Sequence, residues 1–257
     1  MTWVDSHCHL NLIDLSLYNN DIKHLVERVY QAQVEHILCV GIDLKTMPSI
    51  LALSEQFEFV YASIGIHPSD VGHEALDESL FLKYASFKRV IAVGETGLDY
   101  YHSIDNVKPQ QLFFKKQIAL AKRLKKPLVI HSRESFDDTL SILKETNAGD
   151  VGGVLHCFTG DYSTAKKAID MGFHIGVSGI VTFKNASILH EVVKKLPLKH
   201  MLLETDSPWL APAPYRGKPN TPEYIPYIGR RVAELKNLSI DEVAFTTSHN
   251  FFNLFYL

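Results

Sequence analysis

Short apolar runs alternate along this chain with longer stretches whose apolar residues recur at helical spacing. The runs are Trp3–His7, His36–Gly41, Val60–Gly65, Val90–Glu95, Pro127–His131, Gly153–His156, His174–Ser178 and Met201–Glu204. Their cores are nearly continuous in apolar residues, as in parallel strands covered on both faces. Between them, Asp21–Gln33, Leu44–Gln56, Leu76–Phe87, Lys108–Leu124, Ser135–Glu145, Ser163–Asp170 and Ala186–Leu196 read as helices. Leu112, Ile118, Leu120 and Leu124 show the spacing within one of them. A Pro-rich loop, Ser207–Pro222, follows the last run, and two more helical stretches, Pro226–Lys236 and Ile240–Phe255, come after it.

Eight strands with intervening helices predict an α/β fold of the (β/α)8 TIM-barrel type, since doubly wound sheets usually have fewer strands. No linker or low-complexity segment interrupts the alternation, so residues 1–257 are expected to form one domain. The units share the alternation without a residue-level repeat. Such barrels carry their active sites at the C-terminal ends of the strands.

The candidate chemistry falls at those ends. His7 and His9 are one residue apart, so on an extended stretch their imidazoles point to the same side. Glu95, His131 and His156 close the fourth, fifth and sixth runs, and Asp206 lies just past the eighth. Four histidines and two carboxylates suit a divalent cation such as Zn²⁺ or Mn²⁺, and tolerate Mg²⁺ if waters complete the shell. Six ligands exceed what one tetrahedral ion uses, so two ions sharing a carboxylate explain the count better.

Composition narrows the partners. Net charge is −3, from 26 basic and 29 acidic residues, which disfavours coating of long duplex DNA but leaves room for a local phosphate site. The basic run Lys122–Lys126 enters the fifth strand from the opposite end and reads as a solvated face at the barrel bottom. Three cysteines (Cys8, Cys39 and Cys157) form no CxxC pair and lie in apolar stretches, which fits a reducing compartment. No signal-like segment and no apolar run near 18 residues is present. A cytoplasmic protein without membrane association is expected.

Taken together, Asp5-Ser-His-Cys-His9, Gly65-Ile-His-Pro68, Gly94-Glu-Thr-Gly-Leu-Asp-Tyr100, Ile130-His-Ser-Arg133, Leu155-His-Cys-Phe-Thr-Gly160, Glu204-Thr-Asp-Ser-Pro208 and Tyr215-Arg-Gly-Lys-Pro-Asn220 resemble the TatD family of metal-dependent deoxyribonucleases, among the amidohydrolase-like barrels. The matching segments span nearly the whole chain in order. Trp209 stands where that family often has Tyr, and His102 where a basic residue is common; neither is a proposed ligand.

The resemblance implies roles. His7 and His9 would bind one ion, His131 and His156 a second, and Glu95 would bridge. Asp206 would hold an ion-bound water and accept its proton, so Asp206 and Glu95 are the catalytic candidates. The ions would be Mg²⁺, Mn²⁺ or Zn²⁺. The implied substrate is DNA, single-stranded or at its 3′ ends, cleaved by 3′–5′ exodeoxyribonuclease action. A monomer is favoured. The chemistry alone leaves room for a hydrolase of a small ester, lactone or amide, and for a non-catalytic nucleic-acid or metal-binding scaffold, which the intact ligand set argues against.

Supporting groups each carry a second, plainer reading. Asp5 is placed to hold a liganding imidazole or serves only at a strand start. His67 contacts substrate or caps a loop. Asp99, in the loop after Glu95, is expected to orient Arg133, and Tyr100 to stack on a base or sugar, or both pack that loop. Arg133 grips phosphate or forms a structural salt bridge. Glu204 supports a ligand or meets substrate. Arg216 and Lys218, after the eighth strand, face the DNA backbone or pair with Glu223. Alternation points Cys8 and Cys157 away from the ligands. His24, His36, His73, His190, His200 and His249 have no such context.

Overall fold

The computed structural model describes residues 2–72, 76–102 and 104–257. The eight strands are β1 (Trp3–Cys8), β2 (Val34–Cys39), β3 (Val60–Ile64), β4 (Val90–Asp99), β5 (Leu128–Arg133), β6 (Gly153–Leu155), β7 (Phe173–Val177) and β8 (Met201–Leu203). They form one parallel sheet in the order β1 to β8, a nearly closed TIM barrel. Helices follow as α1 (Ile22–Gln31), α2 (Met47–Gln56), α3 (Glu78–Ala85), α4 (Val107–Leu124), α5 (Phe136–Glu145), α6 (Tyr162–Asp170), α7 (Ser187–Lys195), α8 (Ile225–Lys236) and α9 (Ile240–Phe255). Local chemistry sets several boundaries. Asp21, Asp77, Asp161 and Ser239 cap helix starts by accepting a backbone N–H, and Lys125, Asn237 and Tyr256 end helices in the left-handed conformation.

The strands divide their residues between two layers. Val4, Leu38, Val40, Ala92, Val129, Val154 and Leu202 pack in one cluster with Phe251, Leu254 and Phe255 of α9. Their neighbours along the strands, among them Trp3, Ile37, Cys39, Val93, Ile130, Leu155 and Leu203, belong to the larger cluster shared with the surrounding helices. The first layer is therefore the barrel interior, and α9 closes its N-terminal end. Asn250 Nδ2 donates to the carbonyls of Leu198 (2.9 Å) and Met201 (2.8 Å), and Ser248 Oγ to that of Thr2 (3.2 Å).

Two strands depart from the sequence expectation in ways that shape the site. β4 runs on to Asp99 instead of stopping at Glu95, because Gly97, Leu98 and Asp99 pair with His131, Ser132 and Arg133. Gly97 makes this approach possible: at φ 140° it lacks the Cβ that would sit 2.0 Å from the His131 carbonyl. Asp99 thus ends a strand and does not lie in a loop. β8 ends at Leu203, so Asp206 lies three residues beyond it.

The basic run does lie at the opposite end from the mouth. Lys122 pairs with Asp150 at 2.7 Å, Arg123 with Glu78 at 2.9 Å, and Lys126 donates to the Val90 carbonyl at the start of β4. Among the described residues no helix is long and apolar enough to cross a membrane.

Candidate metal centre

Two irregularities in the sheet turn the candidate ligands inward. Val4 and His7 both face the interior although they are three residues apart, so β1 must slip its phase between them. The β1–β2 register shifts between Asp5 and Cys8, which absorbs the slip. β4 does the same: Ala92 and Glu95 both point in, and the β4–β5 register shifts between Val93 and Thr96. On β5 and β6 plain alternation suffices, from Val129 to His131 and from Val154 to His156. Asp206 is set by its own backbone, with φ of 56° and an N–H that donates to the His7 carbonyl at 2.9 Å.

The donor atoms fall into two groups around one carboxylate. His7 Nε2 and His9 Nε2 are 3.3 Å apart. Glu95 Oε2 is 3.5 and 3.7 Å from them, and Asp206 Oδ1 is 3.6 Å from each. A tetrahedron with ligand bonds of about 2.1 Å has edges of about 3.4 Å, so these separations fit a four-coordinate cation. On the other side, Glu95 Oε1 lies 3.0 Å from His131 Nδ1 and 2.8 Å from His156 Nε2, and these two nitrogens are 3.4 Å apart. Each oxygen of Glu95 therefore serves a different histidine pair.

The ring nitrogens are oriented for this. A carbonyl can only accept, so His9 Nδ1, 3.1 Å from the Val40 oxygen, carries the proton and Nε2 turns its lone pair inward. His131 Nε2 donates to Asp99 Oδ2 at 3.0 Å, which frees Nδ1 for the centre. His156 Nδ1 faces Glu204 Oε1 at 3.6 Å, beyond hydrogen-bond length. The His7 and His156 rings stack with centroids 3.8 Å apart, and burial together with His156 pushes the pKa of His7 down, which keeps it neutral.

The electrostatics favour positive charge. Burial alone would raise Glu95, yet the histidines around it hold its carboxyl well below the usual range. Burial would likewise lower His156, but Glu95 and Glu204 outweigh it and push His156 well above its ordinary value. Asp206 is also held down, by His9, His156 and His7 against burial. The carboxylates that favour a proton on this cluster favour a divalent cation equally. The donor set thus fits a pair of cations, with His7, His9, Glu95 and Asp206 around one place and His131, His156 and Glu95 around the other.

Above the cluster opens a cleft of about 980 Å³ lined by His9, His67, Glu95, Asp99, His102, His131, Arg133, His156, Asp206 and Trp209, among others. His67 Nδ1 accepts the Ser69 N–H at 3.1 Å, so its proton sits on Nε2, 3.4 Å from Glu95 Oε1. Arg133 lays its guanidinium over the Tyr101 ring at 4.3 Å, and among the described residues no carboxylate pairs with it. Asp99 does not orient Arg133; it holds His131 and, at 2.9 Å, His102 Nδ1.

Several expected contacts are placed elsewhere. Tyr100 donates its hydroxyl to Asp138 at 2.7 Å and is packed away from the cleft. Glu204 is fully buried beneath His156 and accepts the Cys157 N–H. Asp5 holds the His7 backbone N–H at 3.3 Å, not an imidazole, and ties it to Thr205 N at 2.9 Å. Arg216 lies over Phe183 at 4.4 Å, while Glu223 pairs with Arg28 at 2.6 Å. Cys157, at φ 44°, breaks the alternation and lines the cleft, and burial pushes its thiol up to about 12. His73 lies outside the described residues. Tyr101 and the Val40 carbonyl were not singled out from sequence; the first lacked a recognisable spacing, and a carbonyl carries no sequence signal.

Comparison with known proteins agrees with this geometry. The family model described as TatD related DNase matches residues 4–256. The uncharacterized metal-dependent hydrolase YabD of Bacillus subtilis is 40% identical over 252 residues, covering 98% of both chains. The uncharacterized metal-dependent hydrolase YcfH of Escherichia coli K12 is 39% identical over 257 residues, covering 100% of this chain and 97% of that one. The crystal structure of YjjV, a TatD homolog from Escherichia coli K12, superposes with a TM-score of 0.91 at 31% identity, covering 99% and 98% of the two chains. Matched along nearly its whole length, the chain belongs to the TatD family of metal-dependent hydrolases.

Proposed function

We propose that this protein hydrolyses phosphodiester bonds in DNA, removing nucleotides from the 3′ end of a single strand. Two divalent ions, Mg²⁺, Mn²⁺ or Zn²⁺, would be held by His7, His9, Glu95, His131, His156 and Asp206. The observation that carries the reading is the division of Glu95, one oxygen to each histidine pair, at the floor of an open cleft. The family's description as a DNase supports DNA as the polymer.

When bound, the ions supply an acidified water and neutralise charge on the phosphoryl oxygens. Asp206 faces the cleft as an ionised carboxylate, held so by its histidines, and takes the proton of the attacking water. Arg133, which pairs with no carboxylate among the described residues, offers its N–H fork to the phosphate. His67 presents Nε2–H to the same space. A chain of net charge −3 suits capture of one strand end better than coating of a duplex.

An end-labelled single strand tests this. Stepwise release of mononucleotides from the 3′ end is expected, and Asp206→Asn should lower kcat by about 10²–10⁴-fold while the melting temperature measured in chelator holds. Turnover of a small-ester, lactone or amide panel with no release from the strand would replace the reading by that of a small-molecule hydrolase.

A further inference from the structure

Two planar groups flank the metal centre, and the flat face of neither is used by the hydrolysis itself. Trp209 follows β8 and Arg133 ends β5 beside the end of β4. In an eight-stranded ring β4 and β8 lie opposite each other, so the cation ligands sit between the two groups.

Trp209 is 50% exposed yet fixed in place. Its backbone N–H donates to the Asp206 carbonyl at 3.0 Å, and its backbone carbonyl accepts from Asn220 Nδ2 at 2.5 Å. The indole meets the His9 ring edge-on, centroids 5.1 Å apart at 67°. It lines the cleft. On the far rim the Arg133 guanidinium is backed by the Tyr101 ring at 4.3 Å, and Tyr101 is itself 56% exposed. The Tyr101 N–H donates to Asp99 Oδ1 at 3.0 Å, which anchors this stack to the carboxylate that holds His131. Large aromatic surface held in water beside a catalytic cleft, with guanidinium stacked on it, is the chemistry that takes the flat face of a nucleobase.

We propose that Trp209 and the Arg133–Tyr101 stack are base platforms on either side of the scissile bond, each taking the flat face of one of the two nucleosides that flank it. This rests on the phosphodiester reading. A phosphate over Glu95 places one neighbouring nucleoside toward each rim. Bases within a duplex are stacked on each other and unavailable to both platforms. Stacking is tolerant of base identity, since every base has a π-face, so both platforms accept any of the bases.

Trp209 provides its own reporter. The chain has two tryptophans, and Trp3 is buried at 1% exposure, so emission changes on binding report Trp209. In chelator, where no cleavage occurs, a thymidine hexanucleotide is expected to quench that emission, while a hexamer of abasic tetrahydrofuran phosphates of equal charge does not. With metal, Trp209→Ala and Tyr101→Ala should each lower kcat/KM on the normal strand by about five- to a hundredfold. On strands abasic at the nucleosides flanking the scissile bond the same substitutions should cost less than about threefold, and Trp209→Phe and Tyr101→Phe should restore most of the loss on normal strands. Equal quenching by both hexamers, quenching by neither, or equal losses on normal and abasic strands would overturn the platforms. Quenching by the thymidine strand alone without any cleavage would keep them and remove the nuclease reading instead.

Discussion

Gly176 of β7 has no side chain because the Glu204 carboxylate occupies the place. A Cβ there would lie 2.5 Å from Glu204 Oε2 and 2.9 Å from Oε1. Glu204 has little room to withdraw: it is fully buried and bonded to the Cys157 N–H beneath His156. Gly176→Ala is therefore expected to displace the carboxylate behind His156 and weaken metal binding about tenfold or more, measured by chelator competition. Glu204→Gln, which keeps the shape, should cost less. A second residue-scale effect is pH dependence. Burial, then His200, pushes His174 from 6.5 down to about 4. The folded state keeps it neutral, so as pH falls below 6.5 the unfolded chain takes up a proton that the folded chain refuses. Stability from this group is whole above 6.5 and is lost progressively down to about 4. Allowing for its partial exposure, the loss is on the order of 2 kcal/mol. Denaturant midpoints between pH 7 and pH 4 should fall less steeply in His174→Gln.

At the scale of the element, what could be read from the sequence followed regularity. The final helical stretch, Ile240–Phe255, coincides with α9, and among the described residues the eight strands and nine α-helices each overlap the stretch the apolar pattern marked, with β4 running on to Asp99. His131 and His156 were legible because β5 and β6 alternate without interruption. His7 and Glu95 were legible as ligand types at strand ends, but their inward aim depends on register shifts that no residue type announces. The course of β4 beyond Glu95 was hidden for the same reason: a lone glycine does not announce strand pairing, yet the missing Cβ of Gly97 is what lets the two strands approach. Packing of α8 on β1 shows a related conflict. Gly229 lies mid-helix, where alanine would gain about 1 kcal/mol of propensity. A Cβ there would lie 2.2 Å from the ring of Trp3, which is buried at 1% exposure. Overpacking of this kind costs about 1–3 kcal/mol, so Gly229→Ala should lower stability on balance, read as a reduced denaturant midpoint with an unchanged slope. Trp3→Leu in the same background should recover part of it.

On the scale of the whole molecule, the barrel has a seam. Among the described residues the sheet runs from β1 to β8 with no ladder joining the two ends. The junction is held by His9 N–H to the Ser207 carbonyl at 2.8 Å, Asp206 N–H to the His7 carbonyl at 2.9 Å, and Thr205 N–H to Asp5 at 2.9 Å. His7 and His9 stand on one side of this seam and Asp206 on the other, so a cation among them would staple the barrel shut where its backbone pairing is thinnest. Removing it leaves buried carboxylates and imidazoles facing one another across the gap. A ligand present at a hundred times its Kd stabilises the folded state by about 2.7 kcal/mol. For a chain of this length that corresponds to roughly 5–10 °C in melting temperature. Chelation is therefore expected to lower the melting temperature by about that amount and to abolish turnover. The decisive part is where the protein loosens. Amide exchange should accelerate at His9, Thr205 and Asp206, the donors of the seam, while the β2–β3 and β6–β7 ladders keep their protection. Uniform acceleration around the barrel would mean that the ions stabilise the fold without closing the seam.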